Sequence, residues 1–194
     1  GDLVLDMCAA PGGKATAISS TGARVVASDM RETRSGLVAE NAARLGLPGD
    51  RFAVVTADGT SSPFRPGTFD RVLLDAPCSG LGALRRRPDA RWRINPEDIG
   101  TLCALQKELL VSALDLVKPG GEVTFSVCTL TRAESVEIDE WLAETRPEVV
   151  ALASPGAPWI PAGRGALLLP QAEGTDGMYI LRLRRPESST GANS

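Results

Sequence analysis

Short unbroken apolar runs alternate along the chain with longer stretches in which apolar residues recur every three or four positions. LVLDM (3–7), RVVASD (24–29), RFAVVTAD (51–58), FDRVLLD (69–75) and EVTFSVC (122–128) read as strands, with Gly and Pro as punctuation between them. PGGKATAISSTG opens a loop and a helix, and a longer helix runs from Glu32 to Leu45. From Pro96 to Val117 the residues Ile99, Leu102, Leu105, Leu109, Ala113 and Leu116 keep helical spacing until KPGG (118–121) stops them. SVEIDEWLAET supplies a further helix. Continuous apolar strands alternating with helices predict a mostly parallel sheet covered on both faces, a doubly wound α/β fold. The last strand, MYILRLR (178–184), follows the Pro- and Gly-rich loop SPGAPWIPAGRG instead of a crossover helix, so it is expected to run antiparallel.

A length of 194 residues with 43% hydrophobic content suits one core and one domain, here residues 1–186, and the tail 187–194 reads as disordered. No secretion signature opens the sequence, and no apolar run approaches the roughly 18 residues of a membrane span, so a cytoplasmic protein is expected. Cys8, Cys78, Cys103 and Cys128 are far apart, form no CxxC pair and have no histidine beside them, which argues for free thiols and against a metal site. A net charge of -3 gives no general affinity for polyanions. The local basic run RRRPDARWR (85–93) is the one candidate patch.

Ligands of open parallel sheets bind beyond the carboxyl ends of the strands, and those ends carry Asp6, Asp29, Asp58 and Asp75. Asp29, closing the second strand, is placed to accept hydrogen bonds from ribose hydroxyls. The first strand runs into CAAPGGKA, whose adjacent glycines allow close approach of backbone to a ligand. It is neither GxGxxG nor GxxxxGK[ST], so the dinucleotide and P-loop readings lose their main support.

DMCAAPGGKA, DAPCSG, RRRPDARW, the strand FSVC and the terminal GTDGMYILRL, in that order over nearly the whole chain, resemble the catalytic domain of the S-adenosylmethionine-dependent RNA cytosine-5 methyltransferases of the Sun/Fmu/RsmB group. The resemblance implies a seven-stranded Rossmann-like methyltransferase fold and a structured, ribosomal RNA as partner. Cys8, Ala9, Ala10, Pro11, Gly12, Gly13 and Lys14 would line the methionine and ribose part of the cofactor. Asp29 would hold the ribose hydroxyls with Arg34 nearby, Asp58 would face the adenine side, and Asp75 would border both cofactor and base. The chain departs from the family pattern at Ala15, where Thr is common, and at Val127 and Thr129, where the family reads TCS. The group's bacterial members carry an N-terminal RNA-binding region, which is expected to lie outside this sequence.

Carbon 5 of cytosine is a poor nucleophile, so its methylation calls for prior addition of a thiolate to carbon 6. In the RNA group the cysteine of the later strand attacks and the Pro-Cys thiol assists release, which implies attack by Cys128 and release by Cys78. Asp75 would protonate ring nitrogen 3, for which its pKa must be elevated. With no histidine present, Lys14 or the assembled complex is left to activate Cys128. In the DNA enzymes the Pro-Cys thiol attacks, and that order stays open. Cys8 and Cys103 read as small buried hydrophobes. The arginines of 85–93 lie at the rim of this site, where they can pair with phosphates while Trp92 stacks on a base, and Trp159 reads as packing. Two other functions remain: a catalytically silent RNA- or cofactor-binding module, and a methyltransferase acting on tRNA or DNA.

Overall fold

A computed structural model describes residues 1–187. The chain runs β1 (Leu3–Asp6), α1 (Gly13–Ser20), β2 (Arg24–Asp29), α2 (Glu32–Arg44), β3 (Phe52–Thr56) and β4 (Phe69–Asp75). It continues through α3 (Ala90–Arg93), α4 (Pro96–Leu116), β5 (Val117–Val127), α5 (Val136–Thr145), β6 (Val150–Ala151), β7 (Ile160–Ala162), β8 (Gly165–Leu168), α6 (Pro170–Glu173) and β9 (Met178–Arg184). Most of these follow from local chemistry. Helix α4 starts where Pro96 takes the first helical position and Asn95 N–H donates to Asp98 Oδ2 at 2.8 Å, and it ends where the chain turns extended at Val117.

The strands form one sheet in the order β3-β2-β1-β4-β5-β9-β8-β7, with β6 also on β9. The pairs β2–β3, β1–β2, β1–β4 and β4–β5 are parallel, and β9 lies antiparallel to β5 as the missing crossover helix requires. The sheet has nine strands where seven are expected. The surplus comes from the region read as loop: Ile160–Ala162 and Gly165–Leu168 form a hairpin, and β8 and the two-residue β6 share the outer edge of β9. Segments so short and so rich in Pro and Gly carry no strand periodicity of their own, and the free edge of β9 orders them. KPGG follows the end of α4 at Leu116, as read, but the next strand begins before Glu122. It is the start of β5, where a bulge lets Phe69 pair with Val117 while Arg71 pairs with Glu122, and Gly120 takes φ 77°.

Neighbouring residues of β1 point to opposite faces, and each face has its own core. Val4 packs with Ala15 of α1 and Val38 and Ala42 of α2, whereas Leu5 packs with Leu109, Leu110, Ala113 and Leu114 of α4 and Ile138 and Leu142 of α5. This is the two-layer covering that buries both faces of a parallel sheet. The expectation for the tail falls almost wholly on residues 188–194, outside the described residues. No helix among the described residues is long and apolar enough to cross a membrane.

Candidate active site

The carboxyl ends of β1 and β4 and the loop after β1 enclose a cavity of about 210 Å³ lined by Asp6, Cys8, Ala9, Ala10, Pro11, Gly13, Lys14 and Asp75. One face of α2 holds that loop from behind. Arg34, Val38 and Asn41 recur at helical spacing: Arg34 donates to Ala10 O at 3.2 Å, Asn41 donates to Pro11 O at 2.7 Å, and Val38 lies under Gly12. Asp29, at the end of β2, accepts from Ala10 N–H at 3.2 Å and from Arg34 Nε at 3.2 Å to each oxygen. Asn41 and Val38 were missed in the sequence, although their spacing from Arg34 was the signal.

The two glycines of the loop have different duties. Gly12 has φ 105°, and a Cβ there would sit 3.2 Å from Val38 Cγ1, so it serves the close approach of loop to α2. Gly13 has open space around it and lines the cavity. Gly12, Asp29, Arg34 and Asp58 do not line it. Asp58 is out in solvent, where it accepts from Thr60 N–H and Oγ1–H at 2.9 and 2.8 Å, and these bonds hold its carboxyl below the usual range.

Asp6 is 1% exposed, and neither carboxylate oxygen has a hydrogen-bond partner. Burial first, and then the neighbouring Asp75 charge, raise its pKa to about 7, with Lys14 opposing. Asp75 accepts from Lys14 Nζ at 2.6 Å and from Ser126 Oγ at 2.7 Å. Asp6, which the sequence offered only as one of four strand ends, is thus a buried carboxyl group on this cavity that titrates near neutral pH.

Asp75 pairs in register with Ser126 on the parallel strand β5, so the segments following both residues leave the sheet side by side. This brings Cys78 and Cys128 together with their sulfurs 3.4 Å apart. Cys128 is pulled below the ordinary thiol value chiefly by the Cys78 thiol donating to it; burial and Asp75 oppose, and Lys14 adds a smaller pull. Cys78 is pushed up by the same contact and by burial. The principal influence lowering Cys128 is therefore the other thiol, followed by its own backbone N–H and only then by Lys14. Burial pushes the Cys8 thiol up to about 12 and raises that of Cys103, whose sulfur donates to Ala133 O at 3.3 Å. Neither is poised to react. Of the positions that depart from the family pattern, Val127 is buried in the core and Thr129 bonds Ser79 Oγ at 2.9 Å.

The basic run folds into the short helix α3 and the turn before it. Arg86 is paired with Asp176, and Arg93 with Asp89 at 3.0 Å. Arg85 and Arg87 have no ion pair among the described residues. Arg91 lies 4.7 Å over the ring of Trp92, which is 79% exposed. Trp159 is half-buried. The described residues contain no cluster of three or more side chains able to hold a metal ion.

The sheet order, parallel through β5 and closed by antiparallel β9, is that of the S-adenosylmethionine-dependent methyltransferase fold. Residues 1–184 match the model of the family described as 16S rRNA methyltransferase RsmB/F, and the chain belongs to that family. It is 42% identical over 193 residues to the putative methyltransferase Rv1407 of Mycobacterium tuberculosis, covering 93% of this chain and 40% of that protein. Against ribosomal RNA small subunit methyltransferase B of Vibrio cholerae it is 38% identical over 190 residues, covering 95% and 42% respectively. The crystal structure of NSun6 from Pyrococcus horikoshii with SFG superposes with a TM-score of 0.82 at 27% identity, over 96% of this chain and 48% of that one. The chain thus spans 40–42% of the length of these two curated relatives.

Proposed function

We propose that this chain is the methyl-transferring part of an enzyme that methylates carbon 5 of a cytosine in ribosomal RNA, through a covalent adduct with Cys128. The observation that carries the reading is the pair of sulfurs 3.4 Å apart at the mouth of two parallel strands, beside Asp75. A single thiol in that place would be ordinary packing; two in contact make one the proton donor of the other.

S-adenosylmethionine supplies the methyl group on a positively charged sulfonium. The cavity residues fit such a group: Asp6 is a buried carboxylate lacking any partner, which a cationic ligand would satisfy. Cys8 to Pro11, Gly13 and Lys14 would hold the ligand, and Asp29 and Asp58, outside that lining, would serve its ribose and adenine ends where it extends beyond the cavity. Cys128, as the thiolate, adds to carbon 6 of the base, and the displaced electron pair is taken up at ring nitrogen 3 by a proton from Asp75. Lys14, bonded to Asp75, orients it, and Asp75 regains its proton from solvent, to which its side chain is 30% exposed. After carbon 5 is methylated, water takes its proton, the freed electron pair re-forms the double bond between carbons 5 and 6, the bond from carbon 6 to sulfur breaks, and Cys78 gives its S–H proton to the departing Cys128 thiolate. Arg85 and Arg87 contact RNA phosphates, with Trp92 offering a face for a base.

The test separates the two thiols. With RNA and radiolabelled cofactor, Cys128→Ala abolishes turnover and Cys78→Ala accumulates a denaturation-resistant protein–RNA adduct. The reverse outcome assigns attack to Cys78, as in the DNA enzymes. Cofactor binding with no adduct in any variant identifies a silent binding module, and bisulfite mapping in cells with and without the protein decides between ribosomal and transfer RNA.

A further inference from the structure

Glu134 plays no part in the scheme above, and no motif drew attention to it. Its side chain is 0% exposed. A carboxylate in the interior is costly unless its lone pairs are met, and here four donors meet them. Oε1 accepts from Ser79 N–H at 2.8 Å and Gln106 Nε2 at 3.2 Å; Oε2 accepts from Ser79 Oγ at 2.6 Å and Thr131 Oγ1 at 2.8 Å. These donors come from three separate stretches of backbone: the loop after β4, the middle of α4 and the segment after β5.

The network encloses both thiols. Gln106 Nε2 also donates to Pro77 O at 2.8 Å, so the residues on either side of Cys78 are held. Thr129, next to Cys128, bonds Ser79 Oγ at 2.9 Å, and Gly82 N–H donates to the Cys128 carbonyl at 2.9 Å. Nothing covalent joins the two loops, which lie 50 residues apart in sequence. We propose that Glu134 is a positioning residue that clamps the Cys78 and Cys128 loops together and so maintains the contact between their sulfurs; its catalytic meaning rests on the adduct chemistry proposed above. The donor that lowers the Cys128 thiol is that contact, so relaxation of either loop that parts the sulfurs removes it.

The test uses the full protein with Glu134→Gln and Gln106→Met. The first retains shape but puts an amide N–H₂ where an acceptor was, and the second cuts the tie to Pro77 while preserving volume. Without RNA or cofactor, diamide takes two electrons and two protons from the thiols and closes a Cys78–Cys128 disulfide, followed by mass spectrometry. In both variants closure slows about tenfold, as expected for reacting groups displaced by a fraction of an ångström. The pH midpoint of Cys128 alkylation by iodoacetamide moves up, and kcat for methylation falls while KM for the cofactor is unchanged. Folded variants with wild-type closure rate and alkylation midpoint overturn the proposal. If Glu134→Gln does not fold, Gln106→Met decides by the same readouts, and loss of fold in both overturns it, because the network then serves stability alone. Slowed closure in a protein that methylates no RNA keeps the clamp and refutes the cytosine chemistry.

Discussion

Asp6 shows how one side chain can be at odds with its surroundings in the free protein. Its folded pKa of about 7 lies above the ordinary carboxyl value, so between about pH 4 and 7 the native state binds more protons than the unfolded one. The sign follows: this group's contribution to stability is greatest below its unfolded pKa and is lost as pH rises through 7. The separation sets an upper bound of about 4 kcal/mol. Asp6→Asn is expected to flatten the stability profile over that window and to be more stable than the parent at pH 8, measured by urea unfolding at a series of pH values. An unchanged slope would mean that Asp6 is hydrated in the native protein. The same variant should weaken cofactor binding, since the buried negative charge would be gone.

The loop after β1 and helix α2 act as a unit, and its two glycines allow the packing and ligand duties to be separated. Gly12→Ala places a Cβ in a left-handed conformation against Val38, which costs about 1–2 kcal/mol for the backbone alone and lowers the melting temperature. Gly13→Ala, in open space at the start of α1, should leave the melting temperature the same or higher and instead reduce cofactor affinity by occupying the cavity. Calorimetric melting together with cofactor titration checks both, and equal effects on both measurements would contradict the division. The identity of α2 as a helix was legible from its spacing, and so was the pairing of a glycine loop with Asp29. That Gly12 faces the helix rather than the ligand was not legible, because two adjacent glycines in a sequence carry no sign of which one is crowded.

For the molecule as a whole, charge is locally concentrated on a chain that is mildly acidic overall. Arg85, Arg87 and Arg91 are the arginines of the basic run without ion pairs among the described residues, Arg91 lying over Trp92, whereas Arg86 and Arg93 are already neutralised by Asp176 and Asp89. Replacing Arg85 and Arg87 by Ala should therefore reduce the slope of log affinity against log salt by about 1.4 for single-stranded RNA. Arg93→Ala should change it far less. Binding isotherms across a salt series distinguish these outcomes, and equal slopes for all variants would remove the patch from the RNA interface.

The alternation of apolar runs with helical spacing was sufficient to determine the α/β class, the parallel body of the sheet and the antiparallel last strand, because each depends on periodicity and crossover length alone. Motif order placed Cys78, Cys128, Asp75 and the glycine loop at strand ends. What only the folded molecule decided was juxtaposition. Register between β4 and β5 sets two sulfurs in contact, the outer edge of β9 takes up β6 and β8 while β7 pairs on β8, and Glu134 finds its four donors on segments distant in sequence. Each arises from packing between elements, which local pattern does not encode.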